Sequence, residues 1–231
     1  MANNLAHSEN KNTIAILSDA SNLGESIGIT LKKISIRTHV LNLEHVIPKD
    51  DSFDRVGAIM VPINPKTHYK LIHTIVLTAL QKNLPILFLG DGFQILNTVL
   101  GGGEATPTPV HSATKEGHPN RSAYHRIFIT PGSKLAAIIG SGGFVRVNSR
   151  HNHGLKEGQR SQLLLTSGYS LEDGIIEALE SPDHYWAIAI QFNPEIRGEI
   201  PPHFDRLFQS LSDRSAETTN PMNMNALLVQ T

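Results

Sequence analysis

Cysteine is absent from the sequence, although the chain is 231 residues long. Without cysteine the protein has no disulfide framework, no thiolate metal site and no cysteine nucleophile. A chain without disulfides is compatible with the reducing cytosol, so we expect a cytoplasmic protein. The missing thiol bears most directly on function, because thiols are among the commonest groups that form covalent intermediates.

Long apolar runs and an excess of one charge are also missing. No stretch approaches the roughly 20 apolar residues that a transmembrane helix needs, and residues 1–12 lack the apolar centre of a secretory signal. The 20 lysines and arginines nearly balance the 21 aspartates and glutamates. We therefore expect binding neither to nucleic acid nor to a membrane. The 12 histidines are scattered, and we expect most of them on the surface.

The most informative stretch covers residues 84–103. Its apolar first part, 84–89, is typical of a central parallel strand. Gly90 and Gly92 flank Asp91 and permit a sharp turn, and apolar residues then recur at helical spacing until three glycines end the helix. In α/β proteins such a turn holds one residue above the carboxyl ends of the strands, where nucleophiles and ligands lie.

Strands and helices alternate along much of the rest of the chain. Strands are predicted at 13–18, 35–43, 54–62, 124–130, 144–148, 162–167, 174–180 and 185–191, and helices at 24–33, 68–83, 93–100, 134–139 and 203–211. Residues 104–121 are rich in proline and are predicted as a loop. The alternation predicts an α/β fold with a mostly parallel sheet flanked by helices. We expect one domain over 13–211, with flexible termini at 1–12 and 212–231.

Four motifs in this order resemble those of a known family. They are the 84–103 stretch, Val-Asn-Ser-Arg-His at 147–151, Asp-Gly-Ile-Ile-Glu-Ala at 173–178 and Ile-Gln-Phe-Asn-Pro-Glu at 190–195. Together they are similar to the class I glutamine amidotransferase-like hydrolases, in particular the γ-glutamyl-γ-aminobutyrate hydrolase (peptidase C26) type. The resemblance implies a flavodoxin-like sheet, with additional antiparallel strands in the C-terminal half of the chain.

The same resemblance implies a Cys-His-Glu triad that cleaves γ-glutamyl amides. Carried over by position, the cysteine falls on Gly90, the histidine on Asn193 and the glutamate on Glu195. The turn that supplies an oxyanion-hole amide in the family corresponds to residues 62–65, where Pro62 and Pro65 remove two possible donors. Glycine cannot form an acyl intermediate and asparagine cannot act as a general base, so the family's covalent mechanism cannot operate here.

Several side chains near these positions have two interpretations. Asp91 is either a substitute nucleophile or base, or a cap of the following helix. Glu195 either binds a cationic group or is hydrogen-bonded to Asn193 or to backbone amides. His151 and His153 could join Asp91 or Glu195 around a metal ion, but their spacing is not that of a known metal motif, so we expect no metal and no cofactor.

For ligand binding the candidates are Asp91, Gln94, His151 and Glu195. The preferred interpretation is a catalytically degenerate protein that binds a small γ-glutamyl or amino-acid-like ligand, or a protein partner. The first alternative is an active hydrolase of γ-glutamyl or related amides, in which Asp91 works with Glu195 or His151 to activate water. The second alternative is a subunit that only binds another protein.

Overall fold

A computed structural model describes residues 13–19, 21–44, 55–63, 68–111, 121–218 and 221–223. The strands are β1 Thr13–Ser18, β2 Thr38–Asn42, β3 Val56–Val61, β4 Ile86–Leu89, β5 Thr106–Pro107, β6 Ala123–Ile129, β7 Gly143–Ser149, β8 His153–Gly154, β9 Leu165–Ser170, β10 Ile176–Glu180 and β11 Ala187–Ile190. The helices are α1 Leu23–Lys32, α2 Tyr69–Gln81, α3 Phe93–Val99, α4 Lys134–Ile139 and α5 Asp205–Glu217. None of these helices is long and apolar enough to cross a membrane.

Nine strands form one mixed sheet in the order β2-β1-β3-β4-β11-β10-β9-β6-β7. The first five are parallel to one another, and the remaining four join them by antiparallel pairs. Strands β1, β3, β4 and β11 are buried along their whole length, as expected for strands covered on both faces. The predicted α/β fold, with a parallel core and antiparallel strands in the C-terminal half, is confirmed.

Two apolar clusters cover the two faces of the sheet. On one face, Ile72 and Val76 of α2 and Phe93 of α3 pack against the sheet. On the other face, Ile27 of α1 and Phe208 of α5 belong to a second cluster, to which α4 also contributes. Each helix therefore buries one apolar stripe and helps to hold the parallel strands between two layers.

Two predicted segments, the strand at 162–167 and the loop at 104–121, differ from the structure. The strand predicted at 162–167 is Leu165–Ser170, because Ser161 and the backbone of Leu164 form a turn before it. The predicted loop 104–121 contains the short strand β5, paired with β8, and a 3₁₀ turn at Pro109–His111. Residues 112–120 of that loop lie outside the described part of the chain.

The prediction of a flexible tail from residue 212 is wrong for its first part. Helix α5 continues to Glu217, and Ser215 on it is buried. Met222 is 1% exposed and exchanges two backbone hydrogen bonds with Val56 at the start of β3. The sequence pattern did not reveal this contact, because Met222 lies in a short segment where methionine alternates with asparagine. Residues 1–12 and 224–231 lie outside the described residues.

Candidate functional site

The turn after β4 retains the geometry of a nucleophile elbow. Gly90–Gly92 forms a 3₁₀ turn between β4 and α3, and we call these three residues the elbow. Gly90 has a φ of 51°, in the left-handed region that side chains other than glycine rarely adopt. A Cβ on Gly92 would lie 1.9 Å from the carbonyl oxygen of Val61, so the elbow fits against the end of β3 only with glycine there. The fold therefore holds residue 90 in a strained position above the sheet.

Asn193 and Glu195 follow β11 and lie beside the elbow. A Cβ on Gly90 would be 3.0 Å from Nδ2 of Asn193, and this Nδ2 donates a hydrogen bond of 2.9 Å to Oε1 of Glu195. Glu195 is therefore hydrogen-bonded to Asn193, as the second of its two interpretations predicts. Asn148 fixes the backbone of residue 193, since its side chain accepts from the N–H and donates to the carbonyl oxygen, both at 2.9 Å.

The carboxyl group of Glu195 is almost completely buried. Glu195 is 8% exposed, and its Oε2 has no hydrogen-bond partner among the described residues. Burial raises the pKa of Glu195 to about 7, although the hydrogen bond from Asn193 opposes this shift. Near neutral pH a substantial fraction of Glu195 is therefore the neutral acid, which can donate a proton or a hydrogen bond.

A cleft of about 420 Å³ opens above the elbow at the carboxyl ends of the parallel strands. Gly90, Asp91, Arg150, His151, Asn193 and Glu195 line its polar side, and Leu23 and Ile27 of α1 line its apolar side. Pro62 also lies in the wall. Asn64 and Pro65 of the predicted oxyanion turn lie outside the described residues. The structure thus brings the degenerate triad positions into one cleft of a size suited to a small molecule.

Asp91 lies in the first turn of the 3₁₀ helix but makes no capping hydrogen bond. Neither the 3₁₀ turn nor α3 has a side-chain cap, because residue 91 lies within the turn and not before it. Its carboxylate lines both the cleft and a neighbouring polar hollow of about 540 Å³, which Gln94 and His153 also line. The side chain is partly open to solvent, yet desolvation by the surrounding walls raises the pKa of Asp91 against the opposing effect of His151 and His153.

Three of the 12 histidines lie in the interior. His111, His125 and His151 surround Glu177 of β10, and we call these four residues the histidine cluster. Their nearest ring nitrogens lie 3.4, 3.2 and 3.4 Å from Oε1 of Glu177, whose side chain is fully buried. Burial alone would raise the pKa of Glu177, but the imidazoles of His151 and His125 outweigh it and hold the pKa below its usual range.

The histidine cluster differs from the grouping suggested by the sequence. His153 is exposed, and its Nδ1 lies 2.7 Å from Oδ1 of Asn152. His111 and His125 come from a loop and from a strand with no shared motif, so sequence reasoning missed both. The one available signal was Glu177, one of two glutamates in the short apolar strand β10.

Comparison with known proteins identifies the family. The family model for peptidase C26 matches residues 63–195, which is more than half of the chain. The chain belongs to the peptidase C26 family. It is therefore a glutamine amidotransferase-like C26 protein with no cysteine.

Curated relatives are similar to half of this chain or more. A candidate glutamine amidotransferase of Schizosaccharomyces pombe is 33% identical over 141 residues, which are 59% of this chain and 53% of the yeast protein. Protein NtpR of Enterococcus hirae is 35% identical over 124 residues, 51% of this chain and 50% of NtpR. The chain thus spans about half the length of these relatives.

Solved structures have the same fold. The glutaminase domain of Trypanosoma brucei CTPS with bound acivicin has a TM-score of 0.65 at 16% identity, and the match covers 90% of this chain and 95% of that domain. A glutamine amidotransferase of Thermotoga maritima has a TM-score of 0.61 at 12% identity, with 95% and 89% covered. At such identities the likeness establishes the class I glutamine amidotransferase-like fold alone.

Proposed function

We propose that this C26 protein is catalytically degenerate and uses the cleft to bind a small ligand or a protein partner. The observation that carries the proposal is the pair Gly90 and Asn193, which face each other at the positions of the family's nucleophile and base. Glycine has no atom that can form an acyl intermediate, and the amide of asparagine has no titratable nitrogen near neutral pH. Loss of both groups removes several orders of magnitude of rate.

The cleft retains groups that suit an amino-acid-like ligand. Asp91 offers a carboxylate to an ammonium group. Arg150 offers a guanidinium group to a carboxylate, and its Nε donates a hydrogen bond of 2.7 Å to Ser122, which orients it. The neutral form of Glu195 can donate a hydrogen bond to an amide oxygen. These three groups favour a γ-glutamyl compound or glutamine over an uncharged ligand.

Calorimetry with L-glutamine and γ-glutamyl-γ-aminobutyrate tests the proposal. We expect binding of at least one compound without release of product, and loss of binding in Asp91→Ala. The matched control is Asp183→Ala, an exposed carboxylate in the turn before β11, at the opposite end of the sheet from the elbow. Turnover above background would contradict degeneracy, and equal binding by both variants would contradict the role of Asp91.

One observation favours a second function, hydrolysis through an activated water. The pKa of Asp91 is raised by desolvation, and that of Glu195 is raised to about 7, which brings both carboxyl groups closer to the range of efficient general acids and bases. If this function is correct, γ-glutamyl amides will be cleaved slowly and Asp91→Asn will abolish the reaction. Asp183→Asn is its control. Equal rates in Asp91→Asn and the wild type would exclude this mechanism.

A further inference from the structure

The histidine cluster contains buried polar atoms without a hydrogen-bond partner among the described residues. Nδ1 of His111, Nε2 of His125, Nε2 of His151 and both carboxylate oxygens of Glu177 have no hydrogen-bond partner in the described part of the chain. The side chains of His111 and His151 are 3% and 2% exposed, and that of Glu177 is 0% exposed. Unsatisfied buried groups of this kind are rare, because each one costs free energy when it leaves water.

In His111 and His151, the ring nitrogen that faces away from Glu177 (the outer nitrogen) shows which of the two nitrogens carries the hydrogen; the one that faces Glu177 is the inner nitrogen. Nε2 of His111 lies 2.9 Å from Oδ2 of Asp173, and Nδ1 of His151 lies 2.9 Å from the carbonyl oxygen of His153. Both partners are acceptors, so each of these nitrogens carries a hydrogen. In the neutral rings, the inner nitrogens then present lone pairs to the carboxylate of Glu177. Lone pairs and a carboxylate repel one another at this distance unless a positive charge lies between them.

Protons or a metal ion could supply that charge. Protons on both inner nitrogens would place two imidazolium rings in the interior with centroids 4.8 Å apart, which is costly even beside a carboxylate. A divalent ion uses the lone pairs directly. Histidines that bind metals characteristically donate their other ring N–H to a carboxylate or a carbonyl oxygen, as His111 and His151 do here.

The distances also suit a metal ion. The imidazole nitrogens lie 3.2–3.4 Å from Oε1 of Glu177. Two ligand atoms at about 2.0–2.1 Å from a tetrahedral ion lie about 3.3 Å apart, as in zinc sites. The ligand atoms of His111, His151 and Glu177 all lie within 4.8 Å of one another, so the two rings must move closer together when they bind an ion.

We propose that His111, His151 and Glu177 bind a divalent transition-metal ion, with Zn²⁺ as the best fit. Two imidazoles and one carboxylate supply three of the four ligands of a tetrahedral ion, and Nε2 of His125 lies beside them, 3.2 Å from Oε1 of Glu177. The ion connects the turn at Pro109–His111, strand β10 and the segment after β7. Because His151 also lines the cleft, the ion fixes one wall of the proposed ligand site.

The test uses tag-free full-length protein that has been treated with a chelator and then titrated with Zn²⁺ alone. We expect one tightly bound equivalent per chain by calorimetry and elemental analysis, and a higher melting temperature with the metal. Co²⁺ at the same site should give the visible absorption of a tetrahedral complex. Substoichiometric zinc in the wild type, or octahedral Co²⁺ spectra, would overturn the proposal.

Variants separate the proposed ligands from nearby histidines. His111→Gln and His151→Gln should each weaken zinc binding by at least about tenfold, while His153→Gln, an exposed neighbour, should bind as the wild type does. If the glutamine variants do not fold, Asp173→Asn tests the same site from outside it, with an expected loss of about 10- to 100-fold in affinity. Unchanged affinity in the folded variants would overturn the proposal.

Discussion

The side-chain amide of Asn193 lies 2.9 Å from Oε1 of Glu195, so two of the three triad positions are still hydrogen-bonded to each other. The third position, Gly90, is close enough that a Cβ there would touch the same amide. The three positions thus lie together although none of them carries a thiol or an imidazole. The following predictions test this geometry and the fold that supports it.

Restoring the thiol and the imidazole together should give a reactive cysteine. In Gly90→Cys with Asn193→His, the imidazole will lie beside the sulfur and lower the pKa of the thiol below its usual value of about 8.5. We therefore expect faster alkylation by iodoacetamide near neutral pH than in Gly90→Cys alone. Mass spectrometry of the alkylated chain measures the rate, since the chain has no other cysteine.

Gly101→Cys provides the matched control for this pair. Gly101 also has a positive φ, of 85°, but nothing lies within 4 Å of its Cβ position. Its thiol should react at the rate of an ordinary exposed cysteine. Equal rates in the double variant, the single variant and this control would mean that residues 90 and 193 are not held together.

Glu195 should make the protein less stable as the pH rises. Its pKa is about 7 in the folded state against an ordinary value of 4.5, so the folded state binds the extra proton between these values. The contribution is fully present below about pH 4.5 and is lost as the pH rises through about 7. Glu195→Gln keeps a neutral group, so it should be more stable than the wild type at about pH 8, by up to about 3 kcal/mol. Urea denaturation across this pH range measures the difference, and parallel curves would contradict the raised pKa.

Gly92→Ala should strongly destabilise the fold. The added Cβ would lie 1.9 Å from the backbone oxygen of Val61, and neither the elbow nor β3 can move without disturbing the buried sheet. We expect a loss of more than about 3 kcal/mol, beyond the usual range for overpacking. Gly158→Ala is the control, because nothing lies within 4 Å of its Cβ. A loss similar to that of the control would show that the elbow is not closely packed.

Met222→Ala should destabilise the protein even though the residue lies near the end of the sequence. Its side chain is 1% exposed and belongs to the apolar cluster with Val56. Removal of a buried methionine side chain costs about 2–5 kcal/mol, and we expect the lower part of that range because the backbone pairing with β3 remains. Leu163→Ala, at a position that is 51% exposed, is the control. Equal melting temperatures for the two variants would contradict this prediction.

The sequence was sufficient for the parts of the fold that rest on local patterns. The apolar runs of β1, β3 and β4 predict buried parallel strands, and the glycines at 90 and 92 predict the elbow between β4 and α3. Both kinds of signal come from neighbouring residues. The position of the degenerate triad was also available, because the motif around Asn193 and Glu195 is continuous in the sequence.

Contacts between distant segments could not be predicted in the same way. His125 contacts Glu177 only because β6 and β10 lie close together in the sheet, with β9 between them, and His111 reaches the same carboxylate from the turn at Pro109–His111. Met222 meets Val56 only after α5 has brought the chain back across the sheet. The role of Asp91 depended on whether the helix begins before or after it, and a shift of one turn at a helix start lies within the uncertainty of any sequence pattern.

Asn148 holds residue 193 by its main chain alone, through one bond to the N–H and one to the carbonyl oxygen. Neither bond depends on which side chain residue 193 carries. A member of this family can therefore exchange imidazole for amide without loosening the segment after β11. In this architecture the main chain of residue 193 serves the fold and its side chain serves the cleft, so the two can be changed separately.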